Sequence, residues 1–167
     1  NGGCVSWAFW SSELYLWSER ENSVKALKGH DDVVHGAIPL ANERILSWSD
    51  DGTLRVWCVE RGIVEVTLTG HSDAVKGVAL LESGRAVSWS DDRTLRLWCL
   101  ERYQEIASFS EYTECITGVS EIATEQLLIW FTDGSLQIWN LAIRDSAGHV
   151  ADAPALQHSR EVLGKRL

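Results

Sequence analysis

At 167 residues and 18.7 kDa the chain is sized for one ordinary domain, and an apolar fraction of 45% is enough to build a core. Twenty-four acidic against 15 basic side chains leave a formal charge of -9, so the average field repels nucleic-acid phosphates and anionic membrane surfaces, and neither is expected as a partner. No window reaches the roughly 18 apolar residues of a membrane span, and NGGCVSWAFW at the start lacks the runs of a signal peptide, although the absence of an initial methionine leaves room for a signal already removed.

In chain order, residues 1–28 carry Trp7 and Trp17 in strand-like runs joined through Ala8, Phe9 and Trp10. Four short runs follow: VVHGAI (33–38), RILSW (44–48), TLRVW (53–57) and IVEVTL (63–68), rich in β-branched and aromatic residues and broken by Gly, Asn or Asp. The turn Asp50-Asp51-Gly52-Thr53 joins the middle pair as a tight hairpin, and Gly29 and Gly70 are expected to supply backbone freedom ahead of each new set. The order then returns: SWSDDGTLRVWC (47–58) reappears as SWSDDRTLRLWC (88–99), and a degraded copy occupies 111–140. Residues 141–167 hold no further copy; HVADAPALQ is a candidate edge strand, and SREVLGKRL is expected to fray or turn helical.

The period is regular. Trp7, Trp48, Trp89 and Trp130 are each 41 apart, and Trp17, Trp57, Trp98 and Trp139 are spaced 40, 41 and 41, the discrepancy being an insertion in the first copy. Gly29-His30 and Gly70-His71 are also 41 apart, and the same phase next falls on Glu111-Tyr112. Four short strands per period is the arithmetic of a propeller blade. A helical repeat is excluded, because no long stretch sustains a 3.6-residue apolar period. Cys58 and Cys99 are equivalent positions of separate copies, Cys4 and Cys115 occupy apolar positions, and no CxxC exists. Four reduced cysteines and a cytoplasmic protein are the expectation.

Gly-His, then about 26 residues, then a strand ending in Trp, recurring in phase over roughly residues 1–140, resembles the WD-repeat β-propeller family. Cys stands here where the family's signature usually ends in Asp. The resemblance implies an all-β fold of about four blades of four-stranded antiparallel sheets: 1–28 a partial blade, 29–69 and 70–110 full blades, 111–140 a partial blade, and 141–167 a tail. It also implies hairpin turns and Gly-His loops on one face, the face such proteins commonly offer to partners.

Two sets of polar residues invite a catalytic reading: His30, Ser47 or Ser49, Asp51 and Trp57, and then His71, Ser88 or Ser90, Asp92 and Trp98. Ser, His and Asp together suggest a nucleophile with its general base. A catalytic centre, however, occurs once in one cleft, whereas these sets recur in equivalent blades. In the family resembled, such residues hydrogen-bond across the blade and spare buried polar groups the cost of burial. Trp17, Trp57, Trp98 and Trp139 are accordingly expected to be buried, and Trp7, Trp48, Trp89 and Trp130, on the opposite strand face, to pack between blades. Ile129, Phe131 and Tyr112 replace Ser, Ser and His in the fourth copy, which therefore packs through apolar contact.

Function is sought where the pattern departs. Ala8, Phe9 and Trp10 align with Ser49, Asp50 and Asp51, so Phe9 and Trp10 are either contact residues for a partner or plugs for an incomplete edge. Asp31, Asp32 and Asp73 follow the Gly-His pairs and either draw a basic peptide to the family's partner face or are simply the solvated surface acid of an acidic protein. His149 and His158 have no ligand at metal spacing, and no GxGxxG or GxxxxGK[ST] is present, so neither metal nor phosphate cofactor is expected. The expectation is a non-catalytic scaffold binding a protein or peptide; the alternative is an architectural segment closing a ring with itself or with a longer parent chain, since exposed end blades need cover.

Overall fold

A computed structural model describes residues 3–8, 10–18, 22–110 and 112–141, together with the backbone of 160–163. Phe9, the HVADAPALQ stretch, His149 and His158 lie outside the described residues. The described chain is all strand and turn, built as four antiparallel sheets. The first sheet runs β1 (Gly3–Trp7), β2 (Leu14–Ser18), β3 (Ser23–Leu27). The second runs β4 (Val34–Leu40), β5 (Arg44–Ser49), β6 (Leu54–Cys58), β7 (Ile63–Leu68). In the third, β8 (Val75–Leu80), β9 (Arg85–Ser90), β10 (Leu95–Cys99) and β11 (Gln104–Phe109) lie in the same order, and the fourth holds β12 (Ile116–Ala123), β13 (Gln126–Phe131), β14 (Leu136–Asn140) and β15 (Arg160–Leu163). β15 pairs Trp139 with Arg160 and Leu136 with Leu163, so the strand forms within SREVLGKRL, where fraying or a helix was expected.

Residues divide into two compact units, 1–77 and 78–167. In the first unit Leu14, Leu27, Val34, Ile45 and Trp57 form the core, with Val5, Leu16 and Val64 packed against it. The first sheet thus lays its leucines on the face of the second that carries Trp57, as strand alternation requires of two sheets buried on one another. In the second unit Val87, Leu95 and Leu97 of the third sheet join Ile129, Phe131 and Trp139 of the fourth, and Trp89 packs on the edge of that cluster.

Trp48 sits directly opposite Gly36, and Trp130 opposite Gly118. A Cβ on Gly36 would stand 2.1 Å from the Trp48 ring, and one on Gly118 2.3 Å from the Trp130 ring. The Trp48 and Trp130 indoles therefore lie across glycines of their own sheets, a cross-strand pairing in which one residue's bulk fills the space left by its neighbour. Gly29 also serves close packing. Its φ is not left-handed, contrary to the expected backbone role; a Cβ there would press to about 3.0 Å on Trp57 and Arg55.

Candidate functional site

The hairpin between β5 and β6 builds a buried relay from the ends of three segments. Ser49 accepts the Gly52 amide at 3.3 Å to close the turn, and Gly52 at φ 76 lets the chain enter β6. Asp51 thereby points at the loop ahead of β4, where its Oδ2 lies 2.7 Å from His30 Nδ1 and accepts the Asp31 amide at 3.0 Å. Thr53 donates its amide and hydroxyl to Asp51 Oδ1 at 2.9 and 2.7 Å. Across the sheet, His30 Nε2 meets Ser47 Oγ at 2.7 Å, and that oxygen accepts the Trp57 indole N–H at 2.8 Å. With the Asp51 carboxylate accepting a hydrogen bond from Nδ1–H, Nε2 is left as the acceptor for the Ser47 hydroxyl.

Burial alone would raise the Asp51 pKa, but the His30, Thr53 and Asp31 hydrogen bonds outweigh it and hold the carboxyl well below the usual carboxylate range. Ser47, Ser49, His30 and Trp57 are buried, Ser47 completely. The Ser-His-Asp order is that of a hydrolase triad, yet the serine oxygen is sealed by an indole and no substrate carbonyl can approach it. Ser49 serves a separate task, donating to the Asp32 carbonyl at 3.0 Å and accepting the Asp51 amide.

In the third sheet, Trp98 donates to Ser88 at 2.8 Å, Ser90 accepts the Asp92 amide, and Asp92 accepts both donors of Thr94. His71, Ser88, Ser90 and Trp98 are buried. The first sheet keeps one element of the pattern, Trp17 donating to Ser6 at 2.8 Å. Here the expectation of burial fails: Trp17 is 48% exposed, whereas Trp57, Trp98 and Trp139 are at most 2%. Gly29 and His30 close over Trp57, whereas no sheet among the described residues of the first unit lies on that face of β2. In the fourth sheet, Tyr112 stacks on Trp139 with centroids 5.4 Å apart, and the Trp139 indole turns to Gln137 Oε1 at 3.4 Å.

The candidate contact residues lie along one edge of the first unit. The Ser11 carbonyl accepts the Val34 amide at 2.8 Å, tying the β1–β2 turn to the loop that holds Asp31 and Asp32. That loop is tied in turn to the next hairpin by Asp50 N–H donating to Val33 O at 2.9 Å, and Gly52 approaches the backbone of His71 and Asp73. Trp10 is 80% exposed with φ 70. Asp32 and Asp73, 41 apart, each accept the amide of the following residue at 2.8 Å. Asp31 remains 88% exposed, with Arg55 at 3.5 Å.

Sequence reasoning missed a second cluster on the same edge. His35 Nε2 and Lys76 Nζ converge on Asp50 Oδ1 at 2.6 and 2.9 Å. Desolvation would raise the Asp50 pKa, but the hydrogen bonds from Lys76 and His35 prevail and lower it. The available signal was that His35 and Lys76 are separated by one repeat length of 41. A groove of about 360 Å³ in the second unit, lined by Leu80, Glu82, Glu121 and Ile122, offers no triad or metal set; the Glu121 carboxylate accepts the Glu82 and Glu125 amides.

These blades are the work of a recognised repeat: the family model described as WD domain, G-beta repeat matches residues 21–58 and 62–99. Two WD repeats are thus recognised in the chain, at residues 21–58 and 62–99. Apoptotic protease-activating factor 1 of Homo sapiens is 37% identical over 51 residues, 30% of this chain and 4% of that protein. The crystal structure of the C-terminal WD40 domain of Sif2 superimposes with a TM-score of 0.66 at 24% identity, over 77% of this chain and 38% of that one, a likeness of fold. The chain thus spans well under two thirds of either. WD40 domains are in general protein-interaction scaffolds.

Proposed function

We propose that the chain is a non-catalytic module that binds a protein or peptide through the hairpin-turn edge of its first unit. Trp10 carries the reading. A bulky residue in the left-handed region costs stability, and an indole 80% exposed costs solvation, so its presence at a turn that accepts glycine elsewhere marks a site kept for contact. On the same edge Asp31, Asp32 and Asp73 are exposed and add carboxylates alongside the basic side chains of Arg55 and Lys76. A Lys- or Arg-bearing segment fits, its cation over the indole face and its neighbours against the carboxylates. Four free cysteines support the cytoplasmic assignment.

The test is an array of Lys/Arg-rich and Asp/Glu-rich peptides, followed by titration of the tightest binder against Trp10→Gly. Preference for the basic set and a loss of about tenfold or more in Kd are expected, the scale of one aromatic contact. Unchanged affinity in the variant would sink the assignment of this edge. A second, architectural reading, that the blades close a ring with a second copy or with a longer chain, is favoured by the exposure of Trp17 and Val24.

A further inference from the structure

The opening strands of the third and fourth sheets, β8 and β12, are copies of one segment, yet they end differently. Leu81, just past β8, is 5% exposed and belongs to the core of the second unit. Ile122, one repeat length of 41 later, is 48% exposed. The cause lies in the pairing of β12 with β13, where Glu121 stands opposite Leu127 and Ala123 opposite Gln126, so that Ile122 is an extra residue in the ladder. A bulge of this kind re-aims the side chain it carries. At the equivalent place in the second sheet, β4 runs regularly, with Pro39 opposite Ile45 and Leu40 opposite Arg44.

The re-aimed isoleucine lines the groove of about 360 Å³ at the ends of β8 and β12, and Leu80, 41% exposed, lines it too. Glu82 and Glu121 supply its polar part. The Glu121 carboxylate accepts the Glu82 amide at 2.8 Å and the Glu125 amide at 3.2 Å, and Glu82 Oε2 accepts the Thr124 hydroxyl at 3.3 Å. All these donors are neutral, and Arg85, the cation beside the cluster, is engaged by Glu125. Two carboxylates are thus held at an apolar groove with no cation among the described residues paired to them. We infer that this groove takes a short segment of a protein partner in which a leucine, isoleucine or valine stands next to a lysine or arginine. The aliphatic side chain packs against Leu80 and Ile122, and the cation meets Glu82 and Glu121. The volume is at the small end of the roughly 300–1,000 Å³ of ligand pockets, which suits one or two side chains. Charge selects against acidic segments, and apolar area selects against purely basic ones. The groove lies wholly within the second unit and shares no residue with the Trp10 edge, so the two surfaces can be tested separately.

Hexapeptides of alternating Leu-Lys, Leu-Glu and Ser-Lys, titrated into the nitrogen-15-labelled 167-residue chain and followed by NMR, test it. The amides of Glu82 and Glu125, which donate to the Glu121 carboxylate, report on the groove in the unmodified chain, a readout that needs no variant. The Leu-Lys peptide is expected to shift both, with a Kd at least about fivefold lower than either of the other two, the scale of one half-exposed aliphatic side chain becoming buried. Ile122→Ser should weaken that titration about fivefold, Glu82→Gln should reduce its dependence on salt, and Trp10→Gly should leave it unchanged. Shifts confined to residues 10–12 and 31–34 would overturn the groove and leave the Trp10 edge standing. Silence of the Glu82 and Glu125 amides, or an equal response to the Leu-Glu or Ser-Lys peptide, overturns the inference whatever happens at Trp10.

Discussion

The same indole-to-serine hydrogen bond occurs in three sheets at 2.8 Å, and its surroundings differ enough to separate geometry from burial. Ser47→Ala removes an oxygen that is fully buried and shared between Trp57 N–H and His30 Nε2. Two buried polar groups lose their partner at once, each costing about 1–3 kcal/mol, so a loss of about 2–4 kcal/mol is expected after relaxation. For a chain of this size that lowers Tm by about 5–15 °C. Ser6→Ala deletes the equivalent bond from Trp17, but water replaces the lost acceptor, and about 1 kcal/mol or less is expected. Thermal melting of both variants in dilute solution, followed by far-UV circular dichroism, makes the comparison. Equal shifts for Ser6→Ala and Ser47→Ala would show that the relay owes nothing to burial, and the reasoning would fail.

Asp51 and Asp50 both have folded pKa values below their unfolded one of about 3.9. The unfolded chain therefore takes up protons first, the stabilisation is complete above that value, and it is lost as pH falls through the folded values. Asp51→Asn should lower stability at neutral pH and flatten the acid limb of a Tm-against-pH curve; an unaltered limb argues against the relay. Gly36→Ala is expected to cost about 1–3 kcal/mol because its Cβ would meet the Trp48 ring at 2.1 Å. Adding Trp48→Leu should reduce that penalty in a double-mutant cycle, and additivity would count against the pairing. Arg93, at φ 63, stands where Gly52 and Gly134 occupy the other turns, so Arg93→Gly should stabilise by about 0.5–1 kcal/mol, measured by urea denaturation.

Strand positions were readable because two periods agree: alternation within a strand assigns each residue a face, and the 41-residue repeat fixes the phase between copies. The first relay was readable for the same reason. Trp17 was misjudged because alternation says which face an indole occupies but not what lies against it; that depends on a neighbouring sheet. Gly29 was misjudged because a glycine in a loop suggests a left-handed turn, and only the positions of Trp57 and Arg55 reveal a close approach. Gly36 and Gly118 belong to a column with Gly77, each twelve residues ahead of a tryptophan, a signal present in the sequence and hidden by the habit of reading strand glycine as weakness. The cluster of His35, Asp50 and Lys76 escaped notice because its members come from three different strands or turns.

The indole of Trp139 finds its oxygen on Gln137, two residues back along its own strand, where the other sheets draw it from a serine on the strand beside. What these sheets share is thus an acceptor oxygen for the indole N–H, and the residue that supplies it changes from serine to glutamine. A degenerate copy can then drift in letters while keeping the same electrostatic contract with its tryptophan. Pattern matching by letter covers 21–58 and 62–99, whereas the fold continues through β12, β13 and β14.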